Sequence, residues 1–141
     1  FSKAWGLAAA RVGMLYGSTE VVEILNKIKP PYNVNEMSQE AVIYALQNEQ
    51  QKQDFVDEIL KERAYLHTEL ASLTTVQSIY PSDTNFLLVR VTEPDKLYHY
   101  LIEKGIIVRN RSKVLLCEGC LRITVGTRQE NERLIKAIKS F

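Results

Sequence analysis

From Asn85 to its last residue the chain alternates between a strand period and a helix period, and that alternation restricts it to a sheet with helices laid against it. The segment NFLLVRV (Asn85 to Val91) reads as a strand. Pro94 opens a helix at its first turn, Leu97, Leu101 and Ile102 face inward, and Gly105 stops it. IIVR, ending at Arg109, is a second strand, and LRITVG (Leu121 to Gly126) is a third. Thr127 and Glu130 then stand at capping-box spacing ahead of a helix that buries Leu134, Ile135 and Ile138. Strands with helices on one face form a two-layer α/β sandwich, the fold class expected for this half of the chain.

The first half is organised differently. RVGMLYG (Arg11 to Gly17) reads as a short strand, and Ser18 or Thr19 with Glu20 can cap a helix carrying Val21, Val22, Ile24, Leu25 and Ile28. Pro30 and Pro31 end that helix. A long helical pattern follows from about Glu36 to Leu73, with Phe55, Ile59, Leu66, Leu70 and Leu73 on one face, and QNEQQKQ is the place for it to break in two. Leu73 leads at once into strand-like segments, so the domain boundary is expected near residue 50, giving units 1–50 and 51–141.

Composition narrows the classes of partner. With 141 residues, 45% of them apolar and 25% charged, the chain matches an ordinary soluble domain able to bury a core. Its formal net charge of +1 offers no field to gather nucleic acid, and no apolar run approaches the length of about 20 residues that a membrane span needs. Neither nucleic acid nor membrane is therefore an expected partner, and a cytoplasmic location is the expectation. The cysteines, Cys117 and Cys120, form CEGC; zinc wants four ligands, and His67 and His99 are remote in sequence, so no metal is expected and the pair reads as two reduced thiols at a turn.

Chemistry is concentrated at a few cations. The opening FSKAWGLAAARVG sets Lys3 between a serine and a run of small residues, with Arg11 after them, an order with little structural use because long cationic side chains normally lie on solvated faces. Arg109 ends one strand and Arg122 sits inside another among Leu, Ile and Val. A guanidinium held on a rigid element presents paired donors that match phosphate or carboxylate, whereas an ordinary surface salt bridge is the alternative at both positions. Asn33 in the PYNVN turn is either a site residue or a cap on its own backbone.

These same segments carry a resemblance. SKAWGLAAARVG resembles the lysine segment of fold-type I pyridoxal-phosphate enzymes, and GIIVRNR with GCLRITVGTRQEN resembles the C-terminal end of the histidinol-phosphate aminotransferase family; KPPYNVN and YPSDTNFLLVRV stand in the family's order and spacing. The resemblance implies that the chain is the C-terminal portion of such an enzyme. Residues 1–50 would be a remnant of the large cofactor-binding domain with a linker helix, and 51–141 the small α/β domain. It implies pyridoxal 5'-phosphate as cofactor, Lys3 as the amine that bonds it and carries a proton between two carbons, and Ser2 and Arg11 as holders of its phosphate. Burial is expected to favour the neutral form of Lys3. Arg109, Arg122 and Asn33 are assigned to the substrates, histidinol phosphate and glutamate, with a homodimer expected for the whole enzyme and no activity for the chain alone. A related aromatic aminotransferase, a phosphothreonine-type decarboxylase and a non-catalytic anion-binding module stay open as alternatives.

Overall fold

The long helical pattern breaks at Asn48, whose side-chain amide donates to the Tyr44 carbonyl at 2.8 Å and competes with continuation of the helix. Helix α2 (Glu36–Gln47) ends there and α3 (Glu49–Ala71) begins. The computed structural model describes Phe1–Phe141. It divides within α3 into two units, Phe1–Val56 and Asp57–Phe141.

The first unit holds a 3-10 turn at Ala8–Ala10, α1 (Thr19–Ile28), α2 and the opening turns of α3. Asn35 caps α2 by accepting the Ser38 N–H at 2.9 Å. Trp5 lies half-buried beside Phe1, with the Lys52 ammonium 5.2 Å from its ring centre. Only Ser38 and Val42 are buried here. The expected strand at Arg11–Gly17 does not form: a strand exists as one rung of a ladder, and this unit contains no second strand to pair with it. Helix α1 ends ahead of Pro30 as expected, yet none of its residues is buried. Phe55, placed by its spacing on the apolar face of α3, is 55% exposed.

The second unit is a four-stranded antiparallel sheet of order β1-β2-β4-β3, comprising β1 (Val76–Ile79), β2 (Phe86–Val91), β3 (Arg109–Asn110) and β4 (Cys120–Thr124). Alternation along β2 sends Leu87, Val89 and Val91 into the core, and β4 with its extension sends Leu121, Ile123 and Val125 there. Three helices cover that face: the later part of α3 through Leu66 and Leu70, α4 (Pro94–Glu103) through Leu97 and Leu101, and α5 (Arg128–Lys139) through Leu134, Ile135 and Ile138. This is a two-layer α/β sandwich. Each fully buried leucine contributes about 1.5 to 3 kcal/mol of apolar transfer.

Two expectations fail locally. Ile102 is 43% exposed, because one position beyond Leu101 the helix has turned its side chain off the core stripe. IIVR joins the ladder only at Arg109; the Ile106 N–H is committed to the Leu101 carbonyl at 2.8 Å, closing the helix end at Gly105 (φ 68°) before pairing can start.

Helix α5 carries both halves of its capping box: Thr127 accepts the Glu130 N–H while the Glu130 carboxylate accepts the Thr127 N–H at 2.8 Å. Behind it lies a buried polar cluster. Glu62 on α3 accepts from Arg128 (Nη2 at 2.9 Å, Nε at 3.1 Å) and from Asn131 Nδ2 at 3.1 Å, while Asn131 also bonds both the N–H and the carbonyl of Gly126.

Candidate functional site

The face of the sheet away from the helices is built by the same alternation that fills the core. If Leu121 and Ile123 point inward, Arg122 between them points out, and in β2 so does Arg90. The β3–β4 register sets Arg109 directly opposite Arg122. Directly opposed residues share a face at close range, and like charges in that arrangement are destabilising, so a pair of cations there lowers stability unless an anion joins them.

No acid joins them from within the chain. The four salt bridges are Lys52–Glu49, Lys96–Glu93, Arg128–Glu62 and Lys139–Glu69. Arg122 instead lies with its guanidinium carbon 5.0 Å from the Phe86 ring centre, and its buried Nε has no acceptor. Arg90 repeats the arrangement over Tyr80 at 6.0 Å, again with Nε unpartnered. The aromatic faces orient both forks, and the buried Nε donors of Arg90 and Arg122 have no hydrogen-bond acceptor within the chain. Neither Arg109 nor Arg122 takes part in a salt bridge within this chain. Arg90 was not among the expected site residues; a cation inside an alternating apolar strand was the signal, as it was for Arg122.

In the first unit the lysine segment is a turn. The Lys3 carbonyl accepts the Gly6 N–H at 2.9 Å, and Gly6 adopts φ 68°, a left-handed conformation that glycine takes without strain. Arg11 sits at φ 54°, a region few non-glycine residues enter, with its Nη1 donating to the Ala8 carbonyl at 3.1 Å. Ser2 is half-buried. Lys3 is exposed, contrary to the expected burial, because this unit closes no core around it: only Ser38 and Val42 are buried in it. Asn33 is exposed in the turn between α1 and α2, where Asn35 is the residue that caps. The structure thus groups Ser2, Lys3 and Arg11 in one segment and pairs Arg109 with Arg122 on one sheet face.

The donor set in the first segment fits pyridoxal phosphate: a primary amine for an aldehyde carbon, and a hydroxyl with a guanidinium for a phosphate. Arg11 gives one donor of its fork to the Ala8 carbonyl. No cluster of His, Cys, Asp and Glu suited to a metal is present, and no helix is long and apolar enough to cross a membrane.

The family described as aminotransferase class I and II matches residues 1–138. A histidinol-phosphate aminotransferase from Cytophaga hutchinsonii is 52% identical over 141 residues, covering 100% of this chain and 40% of that protein. The chain therefore spans about 40% of the length of the curated relatives it matches. Among solved structures, L-threonine-O-3-phosphate decarboxylase from Porphyromonas gingivalis superposes with a TM-score of 0.85 at 26% identity, over 100% of this chain and 44% of its own. Histidinol-phosphate aminotransferase from Sinorhizobium meliloti, in complex with pyridoxal-5'-phosphate, shares the fold with a TM-score of 0.78 at 24% identity, over 99% of this chain and 40% of its own.

Proposed function

The chain belongs to the class I and II aminotransferase family, and we propose that it is part of a pyridoxal-phosphate-dependent enzyme moving an amino group between glutamate and imidazole acetol phosphate to form histidinol phosphate. The observation that carries this reading is Arg109 opposite Arg122 without an acid, since both substrates end in an anion that two guanidinium forks can hold in turn. The names of relatives at about half identity support the choice of substrate.

When bound, pyridoxal 5'-phosphate supplies an aldehyde carbon and an electron-withdrawing ring. Ser2 Oγ and the Arg11 guanidinium hold its phosphate. Lys3 Nζ is the amine that would hold the cofactor's aldehyde carbon and the group that would take up and deliver a proton during the exchange. Arg122 holds the carboxylate of glutamate in a bidentate fork, and Arg109 adds to it when the anion is a phosphate. Asn33 would contact the substrate, an assignment that rests on the family resemblance alone. The whole enzyme acts as a cytoplasmic homodimer, and this chain alone, with only part of the donor set, does not turn over.

Borohydride reduction of the full-length enzyme followed by peptide mapping tests the lysine. The pyridoxyl group is expected on Lys3 and absent in Lys3→Ala; a group on any other lysine overturns the assignment. Arg122→Ala is expected to weaken both substrates and Arg109→Ala chiefly the phosphorylated one, each by about 1.5 to 3 kcal/mol. The same arginine pair also suits phosphothreonine, the reading favoured by the likeness to the Porphyromonas decarboxylase. A substrate panel separates the two: carbon dioxide release from phosphothreonine would displace the aminotransferase assignment.

A further inference from the structure

The CEGC segment is not absorbed by the proposed reaction, and its geometry is specific. Three successive turns join β3 to β4, each closed by an N–H to the carbonyl three residues back: Val114 to Arg111 (2.8 Å), Cys117 to Val114 (2.9 Å) and Cys120 to Cys117 (3.0 Å). In the last of them Gly119 has φ 75° and Glu118 does not have a positive φ, which makes it a type II turn with the cysteines at its two ends. The end Cα atoms of such a turn lie within about 7 Å, overlapping the span of about 4.4 to 6.8 Å that a disulfide bridges. The span of the turn thus overlaps the first geometric requirement of a bridge.

The two thiols differ in access and surroundings. Cys117 is half-buried and reachable, whereas Cys120 is wholly buried at the start of β4. Arg90, its direct register partner, places a guanidinium beside the Cys120 sulfur, a contact that holds the Arg90 pKa above its ordinary value.

We propose that Cys117 and Cys120 are a redox-active dithiol that closes to a disulfide across this turn, with a low-molecular-weight disulfide as oxidant. The Cys117 thiolate attacks one sulfur of the oxidant, forming a mixed disulfide and releasing the first small thiol. The Cys120 sulfur then attacks Cys117 Sγ and expels the second. Two protein thiols are oxidised, one disulfide is reduced to two thiols, and the two protons leave with those thiols or the solvent. Arg122 lies two residues beyond Cys120 on the same sheet face, so the bridge would form at the margin of the anion site.

The test is independent of activity and uses the full-length protein equilibrated in glutathione buffers of stepped oxidising ratio, quenched in acid and alkylated. Cleavage after Lys113 and Arg122 yields one peptide, Val114 to Arg122, holding both cysteines. It is expected to lose two hydrogens and both alkyl groups together along a single two-electron transition. Cys120→Ser should trap glutathione on Cys117, while Cys117→Ser should leave Cys120 unmodified; Cys120→Ala serves if the serine variant does not fold. Retention of both alkyl groups at every ratio, or equal glutathione addition to either cysteine in the single variants, would overturn the proposal.

Discussion

Helices α1 and α5 are both amphipathic by sequence, and the protein treats them oppositely. Leu134, Ile135 and Ile138 of α5 are buried against the sheet, while Val21, Ile24 and Ile28 of α1 face solvent together with Met14, Leu15 and Tyr16. Their caps differ in the same sense. Thr127 and Glu130 satisfy each other's backbone donors, whereas Ser18 gives α1 no side-chain cap. The contrast extends to the units that contain them: Asp57–Phe141 closes a continuous core, and Phe1–Val56 buries two residues. An amphipathic pattern states that a helix face is to be covered; whether this chain covers it depends on what the fold brings to that face.

The contrast is sharpest at a core leucine. Leu101→Ala is expected to cost about 2 to 5 kcal/mol, since a fully buried side chain leaves a cavity between α4 and the sheet. Denaturant titration of the protein followed by a probe in the second unit measures it, and a cost below that range would mean that the core relaxes around the gap. Next comes Asn131→Ala, which strips partners from the Gly126 backbone and from buried Glu62, for about 1 to 3 kcal/mol by the same titration.

Thr127→Ala is smaller, about 1 kcal/mol, the usual cost of a lost N-cap. It also carries a pH signature. The backbone N–H and hydroxyl of Thr127 hold the Glu130 carboxyl below its ordinary value. A carboxylate depressed in the folded state contributes stability above its unfolded pKa, near 4.3, and loses it as pH falls through the lower folded value. The wild-type protein should therefore lose more stability on acidification than the alanine variant; identical acid limbs would show that the capping box does not hold in solution. The smallest effect is expected on α1, where Ile24→Ser should change the stability of this chain by no more than about 0.5 kcal/mol. A loss of several kcal/mol there would show that the face is covered in solution and would erase the contrast between the units.

The site was legible in part. Arg122 stands out in sequence because a cation in an alternating apolar strand must point away from the core, and Arg90 carries the same mark in LLVRV. That Arg109 stands across from Arg122 was not legible, since register between strands joined by a nine-residue connection, Arg111 to Gly119, depends on how that loop turns. The Glu62, Arg128 and Asn131 cluster was equally hidden, its members lying 66 and 69 residues apart.

What the sequence determined by itself is everything that short-range chemistry dictates: the stop at Gly105, Pro94 at a helix start, the capping box at Thr127, the inward set of β2 and β4, and the break in the long helix. These follow from backbone sterics and from side chains bonding groups within a few residues. Tertiary structure alone decided that Arg11–Gly17 is not a strand, that α1 and Phe55 stay exposed, and that two like charges meet on the outer sheet face. Each of those outcomes depends on a partner distant in sequence: a strand needs a ladder, an apolar face needs a cover, and a cation pair is tolerated only where the rest of the fold over-determines the register.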